Sequence, residues 1–298
     1  MRLLETKKRE PSMALAFEVR HLKFTYPSSK KTTLDDISFS VEQGKIFGLL
    51  GPSGAGKSTT QKILTKLLTD YSGEVLYFGK EIKTLDRSFY ERIGVGFEAP
   101  VHFNKLTGNE NLAYFSSFYK TKTDYAALMT RVGLADAADQ PVGEYSKGMK
   151  VRLNFVRALL NDPDFIFLDE PTNGLDPTNA HIIKEIIKEL REKGKTFFIS
   201  THLMGDVEQL CDQVAFINHG HISEIASPQA LKLKYGKQEV TVEYANHGSS
   251  EKRVFDIANL GTNQAFLDTI KKEQIITIHS GETTMEDIFM KVTGEMHE

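Results

Sequence analysis

Cysteine is almost missing from this chain of 298 residues. Cys211 stands alone, which excludes an intramolecular disulfide framework and any cluster of thiolates around a metal. It sits in an amphipathic stretch, as a buried structural thiol would. Long apolar runs are missing too. None approaches the roughly 18 residues that a bilayer-crossing helix requires, and the opening MRLLETKKREPSM has no apolar signal core. Neither sign of charge dominates. Lys and Arg number 37 against 40 Asp and Glu, a net charge of −3, so composition gives no reason to expect nucleic acid as the main partner. The expectation is a cytoplasmic protein without a membrane span, whose membrane role, if any, comes through a partner chain. With 40% hydrophobic and 26% charged residues, the rest is ordinary for a globular protein of one domain plus a smaller appendage.

What is present centres on Leu49–Thr60, LLGPSGAGKSTT. Gly51, Gly56, Lys57 and Ser58 complete the G-x-x-x-x-G-K-[ST] pattern of a phosphate-binding loop. Glycines, Gly54 included, let the backbone curl so that successive N–H groups point at phosphate oxygens. Lys57 carries a positive charge to the β- and γ-phosphates, and the Ser58 hydroxyl can ligate Mg²⁺. The context fits. Lys45 to Leu50 is apolar enough for a buried strand, and Thr59 to Leu68 continues as a helix whose N-terminus faces the phosphates. Residues Gly51, Pro52, Ser53, Gly54, Ala55, Gly56, Lys57, Ser58 and Thr59 form the expected nucleotide cradle.

Around this loop, residues 1–12 read as a disordered leader with Met13 as a natural start. Ala16 to Pro27 and Thr33 to Val41 alternate as antiparallel strands. Ser72 to Gly79 is a short strand between glycine turns, and about residues 88–160 form a helical insertion. An α/β pattern returns with strand Asp164–Leu168, a helix from Thr178 to Lys193, and strand Lys195–Ser200. A helix from Met204 to Cys211 and strand Gln213–Asn218 follow. Beyond about Tyr235 a hairpin turning at His247–Ser250, a helix, a strand and a last helix read as a small α/β domain. The expected division is a main domain over 13–234 and an accessory domain over 235–298.

The stretch Phe165-Ile166-Phe167-Leu168-Asp169-Glu170-Pro171 supplies the second half of the chemistry. Four apolar residues form a buried strand that delivers Asp169 to a cation, and Glu170 follows where it can reach a water in line with the γ-phosphate. Hydrolysis follows if Glu170 polarises that water.

From about Ala16 to Ser227, the order and spacing of these motifs resemble the ATP-binding subunit of an ATP-binding cassette (ABC) transporter. The resemblance implies a fold: an α/β phosphate-loop core with an antiparallel β subdomain and a helical insertion, plus the small C-terminal domain. It also implies roles. Tyr26 matches the aromatic residue on which adenine stacks, which points to ATP. Tyr145-Ser146-Lys147-Gly148-Met149 sits where the family signature LSGGQ falls. There Ser146 and Gly148 would act on the nucleotide of an opposite subunit. Thr172 to Pro177, with Asp176, is similar to the dimer-contacting D-loop, and His202 matches the switch histidine. Mg²⁺ would be held by Ser58, Asp169 and Glu98, while Lys57, Glu98, Glu170 and His202 form the catalytic set. Two departures stand out: Lys147 and Met149 replace Gly and Gln of the signature, and Glu98 takes the place of the Q-loop glutamine. Lys147 is expected to point to solvent.

Both departures, with FEAPVHFNKLTGNENLAYFSSFY and the tail TTMEDIFMKVTG, are similar to a branch of bacterial exporters of drugs, antibiotics and peptides. That likeness implies a head-to-tail pair, of two copies or with a paralogue, around two ATP. It also implies an integral-membrane permease docking near Glu98 to Phe103, at the inner face of the membrane. A soluble ABC ATPase or a regulatory module not coupled to transport is the competing reading. The chain has neither the two fused cassettes nor the long coiled coils of such proteins.

Overall fold

Alternation of apolar and polar residues builds the first layer. In the computed structural model, residues 14–294 are described apart from 100, 122, 237, 238, 247, 248, 281 and 282. The expected leader, its Met13 and the tip of the His247–Gly248 turn lie outside these residues. Strand β1 (Leu15–Phe24) pairs antiparallel with β2 (Leu34–Glu42). Next come β3 (Ile46–Leu50), buried at every position, and α1 (Lys57–Leu64). β4 (Ser72–Tyr77) pairs antiparallel with β1, and β5 (Lys80–Glu81) completes a sheet of order β2-β1-β4-β5.

Helix α2 (Ser88–Arg92) leads to β6 (Ile93–Gly96), and α3 (Gly108–Ser116), α4 (Tyr125–Arg131) and α5 (Lys147–Arg157) follow. Then come β7 (Phe165–Asp169), α6 (Pro177–Glu192), β8 (Thr196–Thr201), α7 (Met204–Leu210), β9 (Gln213–Asn218) and β10 (His221–Ala226). The second sheet has the order β10-β9-β3-β8-β7-β6. Its strands run parallel except β10, which returns antiparallel to β9. Both faces of its central strands are covered, which is why β3 and β7, up to Asp169, read as apolar runs.

One sequence expectation is corrected here. The helical insertion does not begin at residue 88, because Ile93–Gly96 is a strand of the main sheet, paired parallel with β7. Two glycines hid it from propensity, and packing requires the first of them. A Cβ on Gly94 would come 1.9 Å from the Ala158 carbonyl oxygen just beyond α5.

Aromatic side chains join the two sheets. Phe17 of β1 meets Phe165 and Phe167 of β7 with ring centroids 4.7 and 5.6 Å apart, and Phe39 of β2 stacks on Phe47 of β3 at 5.2 Å. Burying each such ring contributes about 1.5–3 kcal/mol. This aromatic seam fixes the sheet whose strand ends carry the site. Cys211 is buried, and burial pushes its thiol well above the ordinary range.

The chain divides between Ala226 and Ser227, eight residues before the expected boundary. The difference is α8 (Pro228–Tyr235), which starts at the Ser227 cap and packs within the second unit. That unit continues with β11 (Glu239–Asn246), β12 (Ser249–Asp256), α9 (Gln264–Lys272), β13 (Gln274–Ser280) and α10 (Met285–Thr293). Its sheet is antiparallel, in the order β12-β11-β13. No helix among the described residues is long and apolar enough to cross a membrane.

Candidate functional site

The phosphate loop leaves β3 at Gly51, and the packing there tolerates nothing larger. A Cβ on Gly51 would sit 2.1 Å from the Ile217 carbonyl oxygen of β9. Gly56 has φ of +116°, and a Cβ would meet Leu34 Cδ2 at 2.5 Å. The loop is held from outside by the β9–β10 turn, where Gly220 N–H donates to Ala55 O at 3.0 Å. Lys57, at the first turn of α1, is buried, and its Nζ donates to the Gly51 and Pro52 carbonyls at 2.6 and 3.2 Å. Burial lowers the Lys57 pKa, while Glu170, Asp169 and Glu98 act in the opposite direction. A cation facing carboxylates beside a helix N-terminus suits a polyanion that brings its own metal ion.

The acidic residues come from the adjacent strand ends. β7 and β8 are parallel and in register at Asp169 and Ser200. Asp169 Oδ1 accepts from Ser200 Oγ at 2.6 Å, and Oδ2 accepts from Ser58 Oγ at 3.0 Å. Burial raises the Asp169 pKa; the two hydroxyl hydrogen bonds oppose that rise and nearby Glu170 adds to it. Glu170 is also buried, with the backbone turned to φ of +51° where the strand ends. Such a conformation is uncommon for a residue with a side chain and clusters at functional sites. Three groups from the end of β8 hold its carboxylate: Thr201 Oγ1 at 2.8 Å, His202 N–H at 3.1 Å and His202 Nδ1 at 2.7 Å.

Lys57, Ser58, Asp169, Glu170 and His202 line one cleft of about 360 Å³ with Tyr26, Thr33, Pro52, Ser53, Gly54, Gly56, Thr59 and Glu98, while Gly51 and Ala55 of the expected cradle do not line it. That volume suits a small-molecule site. Tyr26 packs edge-on against Phe24 at 4.8 Å, with its hydroxyl 3.2 Å from Thr59 Oγ1. The ring is therefore fixed at the mouth of the loop. Glu98, just past β6, is exposed on the cleft wall. Ser58 and Asp169 offer neighbouring oxygen donors of the type that a hard divalent cation prefers. Among the described residues no three His, Cys, Asp or Glu side chains are grouped to hold a metal. A cation here would therefore complete its shell with phosphate oxygens and water.

Ser146, Gly148 and Asp176 are not among the residues lining this cleft. Ser146 caps α5 by accepting from Met149 N–H at 3.2 Å, and Asp176 caps α6 by accepting from Asn179 N–H at 3.0 Å. Hydrogen bonding from Asn179 holds the Asp176 carboxyl below its ordinary value. The two caps adjoin. A Cβ on Gly148 would be 3.4 Å from Leu175 Cδ2, and one on Gly174 would be 3.0 Å from Lys147 Cε. Lys147 is exposed, as expected, and its stem lies beside Gly174. Motif reading passed over Gln61 and assigned no contact to Ser200 and Thr201, which lead to the switch histidine. Their signal was polarity inside otherwise apolar helix and strand patterns.

Residues 34–173 match the family described as ABC transporter. Residues 238–282 match one described as fluoroquinolone efflux ABC transporter C-terminal domain. Over 278 residues the chain is 48% identical to a Mycobacterium tuberculosis protein named fluoroquinolones export ATP-binding protein, covering 93% of this chain and 92% of that one. It is 36% identical to a lantibiotic transport ATP-binding protein of Streptococcus pyogenes, over 69% of this chain and 88% of the other. A solved structure described as an ATP-binding subunit of an ABC transporter superposes with a TM-score of 0.67. Its identity is 27%, and the match covers 74% of this chain and 93% of that one.

Proposed function

The chain belongs to the ABC transporter family of ATP-binding subunits, which hydrolyse ATP, and from that premise we propose that two copies of it form the motor of an exporter. The observation that carries this reading is the separation of the site into two parts. The cleft holds the phosphate loop, Asp169, Glu170 and His202, whereas Ser146 and Asp176 cap helices outside it and Gly148 lies in the first turn of α5. A head-to-tail pair brings the exposed Ser146 and the α5 N-terminus of one copy over the cleft of the other. The positive helix end and the N–H groups there favour a terminal phosphate.

Within the cleft, Tyr26 stacks on adenine and the loop amides hold the phosphates. Ser58 and Asp169 would hold Mg²⁺, with Glu98 on the same wall; the ion, when bound, screens phosphate charge. Lys57 neutralises charge at the β- and γ-phosphates. Glu170 accepts the proton of an attacking water, and His202 keeps the Glu170 carboxylate in place and faces the phosphate end of the cleft. Positioned proton transfer of this kind contributes about 10²–10⁴-fold in rate. Closure by ATP and release after hydrolysis give the two states that can drive a partner.

The partner is an integral-membrane permease that holds the chain at the cytoplasmic face of the membrane. A second cavity of about 250 Å³ suits it. Leu67, Tyr90, Val95, Phe97, Phe115 and Tyr119 line that cavity, and Val101, Phe103, Tyr114 and Phe118 are further large apolar side chains left exposed. Pro100, in the expected docking stretch Glu98 to Phe103, lies outside the described residues. The cargo is a drug of the fluoroquinolone type. Support comes from the 48% identical relative and from the match at residues 238–282.

The test is Mg²⁺-dependent ATP hydrolysis against protein concentration, with dimer formation followed by light scattering, for the wild type and Glu170→Gln. Rate per chain should rise with concentration, and the variant should accumulate an ATP-bound dimer without turnover. An active monomer indifferent to Glu170→Gln would overturn the reading.

A further inference from the structure

Gln61 is a long amide that α1 buries almost completely, with 1% of its surface exposed. A buried amide needs partners for its donors and its acceptor. Ser200 Oγ lies 3.1 Å from Gln61 Oε1 and 2.6 Å from Asp169 Oδ1. The Ser200 hydroxyl has one proton, so it donates to one of these oxygens only. The carboxylate is closer and charged, and takes it. The group that Gln61 turns to Ser200 must then be a donor. Gln61 Nε2 is buried and has no hydrogen-bond partner among the described residues while Oε1 faces Ser200. Turning the amide over presents Nε2 to the free lone pairs of Ser200 and gives that donor its bond.

We infer that Gln61 is a positioning residue for Asp169: its amide donates to Ser200, which commits its own proton to Asp169 Oδ1. Ser58 lies three residues earlier in α1 and donates to Oδ2 at 3.0 Å. Residues three apart share a helix face, so one face of α1 fixes both carboxylate oxygens, once directly and once through Ser200. The carboxylate cannot swing away, and its Oδ2 edge, shared with Ser58, is kept for the cation. This rests on the proposed role of Asp169 in holding Mg²⁺.

The experiment measures Mn²⁺ affinity of the ATP-bound protein by electron paramagnetic resonance, with protein in excess of ATP. It compares the wild type, Gln61→Met, Ser200→Ala and the double variant. Each single substitution should weaken Mn²⁺ binding on the order of tenfold, the usual cost of losing a partner behind a metal ligand. Affinity for ATP without metal should not change, and Gln61→Met should add nothing in the Ser200→Ala background. If Gln61→Met fails to fold, Gln61→Leu takes its place. Unchanged Mn²⁺ affinity in the Gln61 variant, or a loss as large with Ser200 removed, overturns the inference. Failure of the underlying reading is seen separately, as Asp169→Asn binding Mn²⁺ like the wild type.

Discussion

His202 Nδ1 lies 2.7 Å from Glu170 Oε1, and the two residues leave the ends of neighbouring parallel strands. The register that sets Asp169 opposite Ser200 also sets Glu170 beside Thr201 and His202. Sheet geometry thus places the proposed base beside the residue proposed to hold it. Replacing His202 with Ala removes the ring contact but keeps the backbone N–H and Thr201 contacts. The expected outcome is a fall in kcat of about 10²-fold with KM for ATP nearly unchanged, read from steady-state hydrolysis. A KM effect alone would place His202 in binding only.

Tyr26 presents a ring fixed by Phe24 and by Thr59. Stacking on a base is worth about 1–3 kcal/mol. Tyr26→Ala should therefore weaken ATP binding by roughly 5- to 150-fold, while Tyr26→Phe keeps most of the affinity. Nucleotide binding by fluorescence titration checks this, and equal loss in both variants would assign the effect to the hydroxyl.

Asp169 has its pKa raised in the folded state, first by burial. Such a group contributes stability below its unfolded value, near 3.8, and loses that contribution as pH rises through the folded value. The fold therefore disfavours the ionised carboxylate relative to the unfolded chain. Asp169→Asn should melt at a higher temperature than the wild type in metal-free buffer, by about 2–4 °C per kcal/mol relieved, and should lose hydrolysis. A lower melting temperature would contradict this.

His102 is held down to about 4, by burial first and by Arg157 second. Its Nε2 lies 3.2 Å from the Lys150 carbonyl oxygen, which makes that nitrogen the donor of the neutral ring. The unfolded chain takes up the proton near pH 6.5, so the stability from neutral His102 is complete above that pH. It is lost as pH falls from 6.5 toward 4. Urea unfolding at pH 7 and pH 5 should therefore differ less for His102→Gln than for the wild type. Equal differences would contradict the assignment.

The catalytic strands were legible because β3 and β7 are apolar runs ending in residues that chemistry restricts. Gly54, Gly56, Lys57, Asp169 and Glu170 were singled out for that reason, and the cleft gathers them with Tyr26, Glu98 and His202. Strand β6 was not legible. Gly94 and Gly96 lower strand propensity, and only the approach of the Ala158 carbonyl just beyond α5 explains Gly94. The division at Ser227 was missed because α8 is a local helix whose membership depends on long-range packing. Gln61 and Ser200 escaped because a short motif says nothing of which polar groups meet behind it.

In the proposed pair, each ATP is enclosed by the loop of one copy and the signature segment of the other. Lys57→Ala leaves a chain with an intact signature and a disabled loop, and Ser146→Arg leaves the converse. Each variant alone should be inactive. Mixed in equal amounts, they should recover a substantial part of wild-type hydrolysis, because the mixed pair contains one complete site. Absence of any recovery in a mixture shown to form mixed dimers would contradict the account.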